Sequence, residues 1–284
     1  MSKVGLVLEG GSMRGMFTAG VLDTFLDEGI EVDGIIGVSA GCLFGPNYYS
    51  KQKGRALRYN KRFCKNHKYM SIESLLLTGN IVNKQFAYYD VTTKYDIFDN
   101  DTFMKNNKGY YATVTNIETG EAEYLEIKNI LKDMEILRAS SAIPCFSKVV
   151  EVNGKKYLDG GIADSIPVQQ CKDMGYDKII VVLTRPIEYR KEALSDMFMK
   201  VIHARYKRYP QFIETMKNRY IKYNETVEKI IDMENQKEIF VIRPSSPITL
   251  GTIERNPDNL QAVYDLGVKD CKNVLKQLQD YLKK

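Results

Sequence analysis

Short unbroken apolar runs alternate with longer stretches in which apolar residues recur every three or four positions. They lie in the predicted strands Val4–Leu8, Ile35–Val38, Lys178–Leu183 and Ile239–Arg243, the last two carrying a charged residue only at one end. Runs of this length bounded by turn residues are the pattern of strands buried on both faces. The longer stretches predict helices. Over Met13–Leu26, residues Met16, Ala19, Leu22, Phe25 and Leu26 share one side, and Gly29 is placed to stop the helix. Further helices are predicted from Ala40 onward, over Asn129–Ala139 and over Val168–Met174. Ser195–Asn235 reads as partly helical with a break at Pro210, and Asp258–Leu282 as an amphipathic closing helix.

Two hairpins interrupt this alternation. Tyr110–Thr115 is followed by the turn Glu118-Thr-Gly-Glu121 and a second strand, Ala122–Ile127. Ser147–Val152 and Lys155–Leu158 flank Asn153-Gly154, a pair that favours a type I′ turn. Residues 69–108 show no clear pattern. Strands alternating with helices predict an α/β fold with a mostly parallel central sheet, here with antiparallel hairpins added. Residues 4–183 carry all the usable motifs. Residues 184–284 are expected to be a helical extension with one further strand, packed on that core.

Composition narrows the class. At 284 residues, 44% hydrophobic and 27% charged, the chain is an ordinary globular one, which argues against a disordered chain, a collagen or a simple coiled coil. The five cysteines are odd in number and form no C-x-x-C pair, so a disulfide framework and a zinc site are not expected. They read as reduced, packed thiols. Glu9 ends the first apolar run too early for a signal peptide, and no run of 18 apolar residues occurs. The expectation is a cytoplasmic protein. Only two histidines, His67 and His203, are present, which restricts any mechanism that needs an imidazole.

Three motifs carry chemistry. Gly10-Gly-Ser-Met-Arg-Gly15 lies between a predicted strand and helix, where unpaired N–H groups and the helix dipole suit a phosphate or a developing oxyanion. The loop continues Met16-Phe17, not Lys-Ser, and the second strand ends Gly37-Val38-Ser39 without an acid, so neither nucleotide signature is complete. Gly37-Val-Ser-Ala-Gly41 is a G-x-S-x-G in strand-to-helix context, the setting of a nucleophile elbow that exposes Ser39. Asp159-Gly-Gly161 is by itself a common turn. It gains interest because a serine hydroxyl needs a base, and Asp159 serves if the fold sets it beside Ser39.

These residues, with Thr113-Val-Thr-Asn-Ile-Glu-Thr-Gly120 and Arg138-Ala-Ser-Ser-Ala-Ile-Pro144, resemble the bacterial patatin-like phospholipases over roughly residues 4–183. The resemblance implies a three-layer α/β/α fold and a serine acyl-ester hydrolase using a dyad and an acyl-enzyme. It makes Ser39 the nucleophile, Asp159 the general base, and the loop of Gly10, Gly11, Ser12, Arg14 and Gly15 the oxyanion hole. It implies a phospholipid or other acyl ester as substrate, with no metal or organic cofactor. Many members have a third consecutive glycine where this chain has Ser12, which keeps its N–H but resists a positive φ. Arg14 is read as pairing with a carboxylate that shapes the turn, with charge near the oxyanion as its other role. Two rivals stand beside the dyad: a Ser39-Asp159-His203 triad esterase, and an anion- or lipid-binding module with a relict site.

Residues 51–68 hold eight Lys and Arg and no acid. Lys51, Arg55, Arg58, Arg62 and Lys65 advance by 4, 3, 4 and 3, which predicts a basic stripe on one helical face. A solvated face is the bland reading, and a nucleic-acid arm has no supporting motif. The sharper one is an interfacial helix that draws the enzyme to anionic lipid on the inner membrane face.

Overall fold

The computed structural model describes residues 2–283 and gathers eight strands into one sheet. In chain order they are β1 (Val4–Leu8), β2 (Gly34–Val38), β3 (Gly109–Asn116), β4 (Ala122–Glu126), β5 (Val150–Val152), β6 (Lys155–Asp159), β7 (Lys178–Val182) and β8 (Ile239–Ile242). Strands β3, β2, β1, β7 and β8 lie side by side in that order and run parallel. The hairpin strands β4, β5 and β6 join antiparallel.

The helices are α1 (Met16–Asp27), α2 (Ala40–Phe44), α3 (Pro46–Tyr49), α4 (Arg55–Phe63), α5 (Ile72–Thr78), α6 (Asn100–Lys105), α7 (Met134–Ser140), α8 (Val168–Asp173), α9 (Asp196–Tyr206), α10 (Pro210–Asn235) and α11 (Pro257–Lys283). A 3₁₀ turn, Ser12–Gly15, precedes α1, and a π-helix spans Lys84–Tyr95.

The strand period divides the core. Leu6, Leu8, Ile35, Ile180 and Val182 point to one face, under α1 and α11. Val7, Ile36, Ile179 and Val181 point to the other, under α8 and α10. Successive side chains of a strand face opposite ways, so unbroken apolar runs require helices on both sides. The result is a three-layer α/β/α fold. Residues 184–284 share in it: β8 pairs with β7 in the same sheet, and α11 packs along α1.

Local chemistry explains most boundaries. Asn153 and Gly154 both take positive φ, +51° and +77°, as a type I′ turn demands. Pro210 is the first residue of α10, where its missing N–H costs nothing. Helix α7 starts at Met134, later than the pattern predicts. The Asp133 carboxylate accepts the N–H groups of Lys128 and Asn129, and the Asn129 side chain that of Lys132, which holds 129–133 as a turn. Residues 69–108 fold as α5, the π-helix and α6, capped by Ser71, Asn83 and Asp99.

The basic stripe is partly engaged within the molecule: Arg55 is buried, while Lys51, Arg58, Arg62 and Lys65 are exposed. Helix α4 covers only Arg55–Phe63, and its arginines are used inside the molecule. Arg55 is buried and donates to Asn47 Oδ1 and to the Asp96 carbonyl. Arg58 grips the Asp96 carboxylate through two bonds of 2.7 and 2.8 Å, and Arg62 donates to the Tyr95 carbonyl. The spacing placed these residues on one side correctly. That side faces residues 95–96, whose acid lies too far along the chain for local pattern to register it. Among the described residues no helix is long and apolar enough to cross a membrane.

Candidate active site

Ser39 follows β2 and opens α2 with φ +51° and ψ −118°, a conformation that a non-glycine residue adopts only under constraint. The constraint is close packing around the turn. A Cβ on Gly37 would stand 2.6 Å from Cys42 Cα, and one on Gly41 would stand 2.5 Å from the Leu8 carbonyl oxygen. Only glycine permits both approaches, which is the physical content of the G-x-S-x-G spacing. The Ser39 N–H donates to Ser140 Oγ at 3.0 Å, so α7 steadies the turn from the side.

Asp159 arrives by a different route. On β3, residues Gly109–Thr113 pair with β2 and residues Val114–Asn116 pair with β6. Strand β4 pairs with Tyr111–Thr115 and overlaps both, so β2 and β6 must share the opposite edge of β3. They run toward each other along it. Val38 ends β2 opposite Thr113, and Asp159 ends β6 opposite Val114. The two chain ends therefore meet on adjacent rungs.

Both side chains are buried, each residue 8% exposed. The Asp159 N–H is tied to the Ala142 carbonyl, and its Oδ1 accepts the Gly161 N–H at 2.8 Å. Burial pushes the Asp159 carboxyl above its ordinary range. The nearby Ser39 hydroxyl, the charge of Arg219, the Gly161 N–H and the charge of Lys191 pull the other way.

The glycine-rich loop leaves β1 and lies over Ser39. Gly10 backs onto it, with an added Cβ only 3.1 Å from Ser39 Cβ. The Glu9 N–H donates to Val182 and the Arg14 N–H to Gly11. Between them, the N–H groups of Gly10, Gly11, Ser12 and Met13 donate to no acceptor among the described residues. Ser12 takes φ +49°, so the serine adopts the positive φ it was expected to resist. It opens the 3₁₀ turn in that conformation. Gly15 packs against Ala40 and Phe44 of α2. Arg14 makes no ion pair among the described residues, which corrects the reading that it pairs with a carboxylate to shape the turn. It lines a polar cavity instead.

Two chambers meet at Ser39. One is apolar, about 940 Å³ counting its open mouth, and is walled by Met13, Leu43, Phe44, Tyr88, Val91, Phe98, Ile130, Met134 and Leu137. The π-helix supplies Tyr88 and Val91. The other, about 830 Å³, is polar. It is walled by the glycine loop, Asp159, Gly161, Ser165, Arg14, Arg185, Tyr189, Lys191, Arg219 and Tyr223. Glu9 is 3% exposed beside it and fully engaged. Its carboxylate accepts Thr184 N–H at 2.6 Å, Thr184 Oγ1 at 3.1 Å and Tyr223 OH at 2.8 Å.

Neither chamber is lined by a histidine. His203 lies on the exposed side of α9, bonded to the Met199 carbonyl, and His67 lies at the surface 3.5 Å from Glu73. The fold brings Ser39, Asp159 and the loop together and leaves His203 out. Sequence reading missed Ser140, Thr184, Arg185, Lys191, Arg219 and Tyr223. One signal pointed to Thr184 and Arg185: they lie two and three residues past the β7 end, beside β1, where the strand order reverses and α/β sheets bind ligands.

A three-layer α/β sheet that carries a serine elbow under a glycine loop at its switch point is the architecture of the patatin-like acyl hydrolases. The chain belongs to the patatin-like phospholipase family, whose model matches residues 6–172. A domain of unknown function (DUF6363) matches residues 209–283. Over 189 residues the chain is 30% identical to the uncharacterized protein YjjU of Escherichia coli, covering 65% of this chain and 52% of that one. Over 184 residues it is 28% identical to the lysophospholipase NTE1 of Saccharomyces cerevisiae, covering 63% of this chain and 10% of that one. The match thus spans about half of YjjU and a tenth of NTE1. The crystal structure of VipD from Legionella pneumophila aligns at a TM-score of 0.47 and 11% identity, covering 97% of this chain and 67% of that one.

Proposed function

We propose that the protein is a serine hydrolase of lipid acyl esters, with Ser39 as nucleophile and Asp159 as its base. The observation that carries this reading is the meeting of a strained, buried serine with a buried carboxylate beneath a loop of unpaired N–H groups. Asp159 takes the hydroxyl proton as Ser39 Oγ bonds to the ester carbonyl carbon. The oxyanion lies against the N–H groups of Gly10, Gly11 and Ser12, and each such donor contributes about 10²–10³ in rate. The tetrahedral intermediate collapses, the C–O bond to the alcohol breaks, and the alcohol leaves with the proton from Asp159. Water then attacks acyl-Ser39 while Asp159 again takes a proton, releasing the fatty acid and restoring the serine.

The apolar chamber suits an acyl chain, since ligand pockets are mostly apolar with few convergent polar groups. The lysophospholipase name of the fungal relatives points to the same ester class. The test is labelling by a fluorophosphonate probe together with hydrolysis of a lysophospholipid. Purified wild-type protein should do both, and Ser39→Ala should do neither while keeping its circular dichroism and melting temperature. Hydrolysis at the wild-type rate by Ser39→Ala would remove the assignment.

A further inference from the structure

The polar chamber has a charge imbalance that the ester chemistry leaves unexplained. Arg14, Arg185, Lys191 and Arg219 face two carboxylates, Glu9 and Asp159. Among the described residues none of the four cations forms a salt bridge. Only Arg219 makes a side-chain hydrogen bond, from Nε to the Gly161 carbonyl at 2.6 Å. Arg14 Nε is buried with no partner. The Lys191 ammonium is pushed down to about 7, by burial first and then by repulsion from Arg219, with Arg14 and Arg185 adding to it and Glu9 opposing. Cations without a carboxylate partner gathered in a cleft repel one another, and an anion placed among them relieves this and keeps Lys191 charged.

The geometry points to a phosphate. We propose that this chamber receives the phosphate of an anionic lipid headgroup, while the acyl chain occupies the apolar chamber on the other side of Ser39. This rests on the reading of Ser39 as the nucleophile. Arg185, Lys191 and Arg219 lie beyond residue 172, so three of the chamber's four cations come from the segment outside the patatin-like match.

A zwitterionic choline headgroup fits poorly. A quaternary ammonium needs a free carboxylate or an open aromatic face. Glu9 is already engaged by Thr184 and Tyr223. The ring of Tyr189 is covered by Arg185 at 4.2 Å, and that of Tyr223 by Lys191 at 4.4 Å.

Binding to full-length Ser39→Ala protein, measured by calorimetry, tests the proposal without catalysis. The probes are monododecyl phosphate, dodecylphosphocholine and inorganic phosphate, each lipid below its critical micelle concentration. Monododecyl phosphate should bind at least about tenfold more tightly than either other probe, and more weakly as salt rises. Arg185→Gln and Lys191→Gln should each weaken it roughly tenfold or more, with melting temperatures confirming that they fold. If one variant fails to fold, the other and the three-probe comparison still decide. Equal binding of the two lipids overturns the anionic headgroup, and equal binding of inorganic phosphate assigns the site to the free ion. Loss of wild-type ester hydrolysis with this binding pattern intact would instead count against the nucleophile assignment.

Discussion

Ser39 and Asp159 meet because Val38 and Asp159 close their strands against Thr113 and Val114, neighbours on β3. A parallel strand and an antiparallel one run toward each other along a single edge, and each presents its carboxyl end at the join. The approach of Ser39 to Asp159 is thus set by strand register. A slip of one residue would turn either side chain to the opposite face of the sheet.

Asp159→Asn should lower kcat/KM for ester hydrolysis by several orders of magnitude, since members of such a unit fail together. His203→Ala should leave it unchanged, because that imidazole lines neither chamber. Steady-state kinetics on a soluble ester separates the two. A large loss in both variants would restore the triad reading.

The acid limb of the pH profile should lie above the usual carboxylate range. Asp159 must be deprotonated to act as base, so activity falls as pH drops through its pKa, which burial raises. Arg219 lowers that pKa by its charge. Arg219→Gln should therefore move the acid limb to higher pH. A kcat/KM profile between pH 4 and 9 checks it; an unmoved limb would show that another group controls the limb.

Gly41→Ala should be costly. The new Cβ would meet the Leu8 carbonyl oxygen at 2.5 Å, and the elbow cannot widen without shifting Ser39. Overpacking of this kind costs about 1–3 kcal/mol. Urea denaturation should report that loss, and ester hydrolysis should fall further than the fraction unfolded explains.

Arg55→Met should destabilise the fold by about 1–3 kcal/mol, the scale for leaving the buried acceptors Asn47 Oδ1 and the Asp96 carbonyl unpaired, since Arg58 still pairs with the Asp96 carboxylate. Arg55 Nε lies 3.4 Å from the Asp96 carboxylate, and both side chains are buried. The midpoint of urea unfolding measures it. The same arginine counted toward a membrane-facing stripe in the sequence pattern, and a purely interfacial role would leave the midpoint unchanged.

Local chemistry wrote much of this protein into its sequence. The apolar runs fixed the buried strands because a strand covered on both faces has no polar side to show. Gly37 and Gly41 bracketed the elbow because no Cβ fits there, and Asn153-Gly154 set its hairpin through backbone conformation alone. What the tertiary structure decided involves residues far apart in the chain. It placed Asp159 beside Ser39 through a shared edge of β3, tied Arg55 and Arg58 of α4 to Asp96, and set His203 on an outer surface. It also assembled Arg14, Arg185, Lys191 and Arg219 from three separate stretches of chain. No spacing rule joins such residues, because their proximity comes from sheet order and helix packing, which are settled only when the whole core closes.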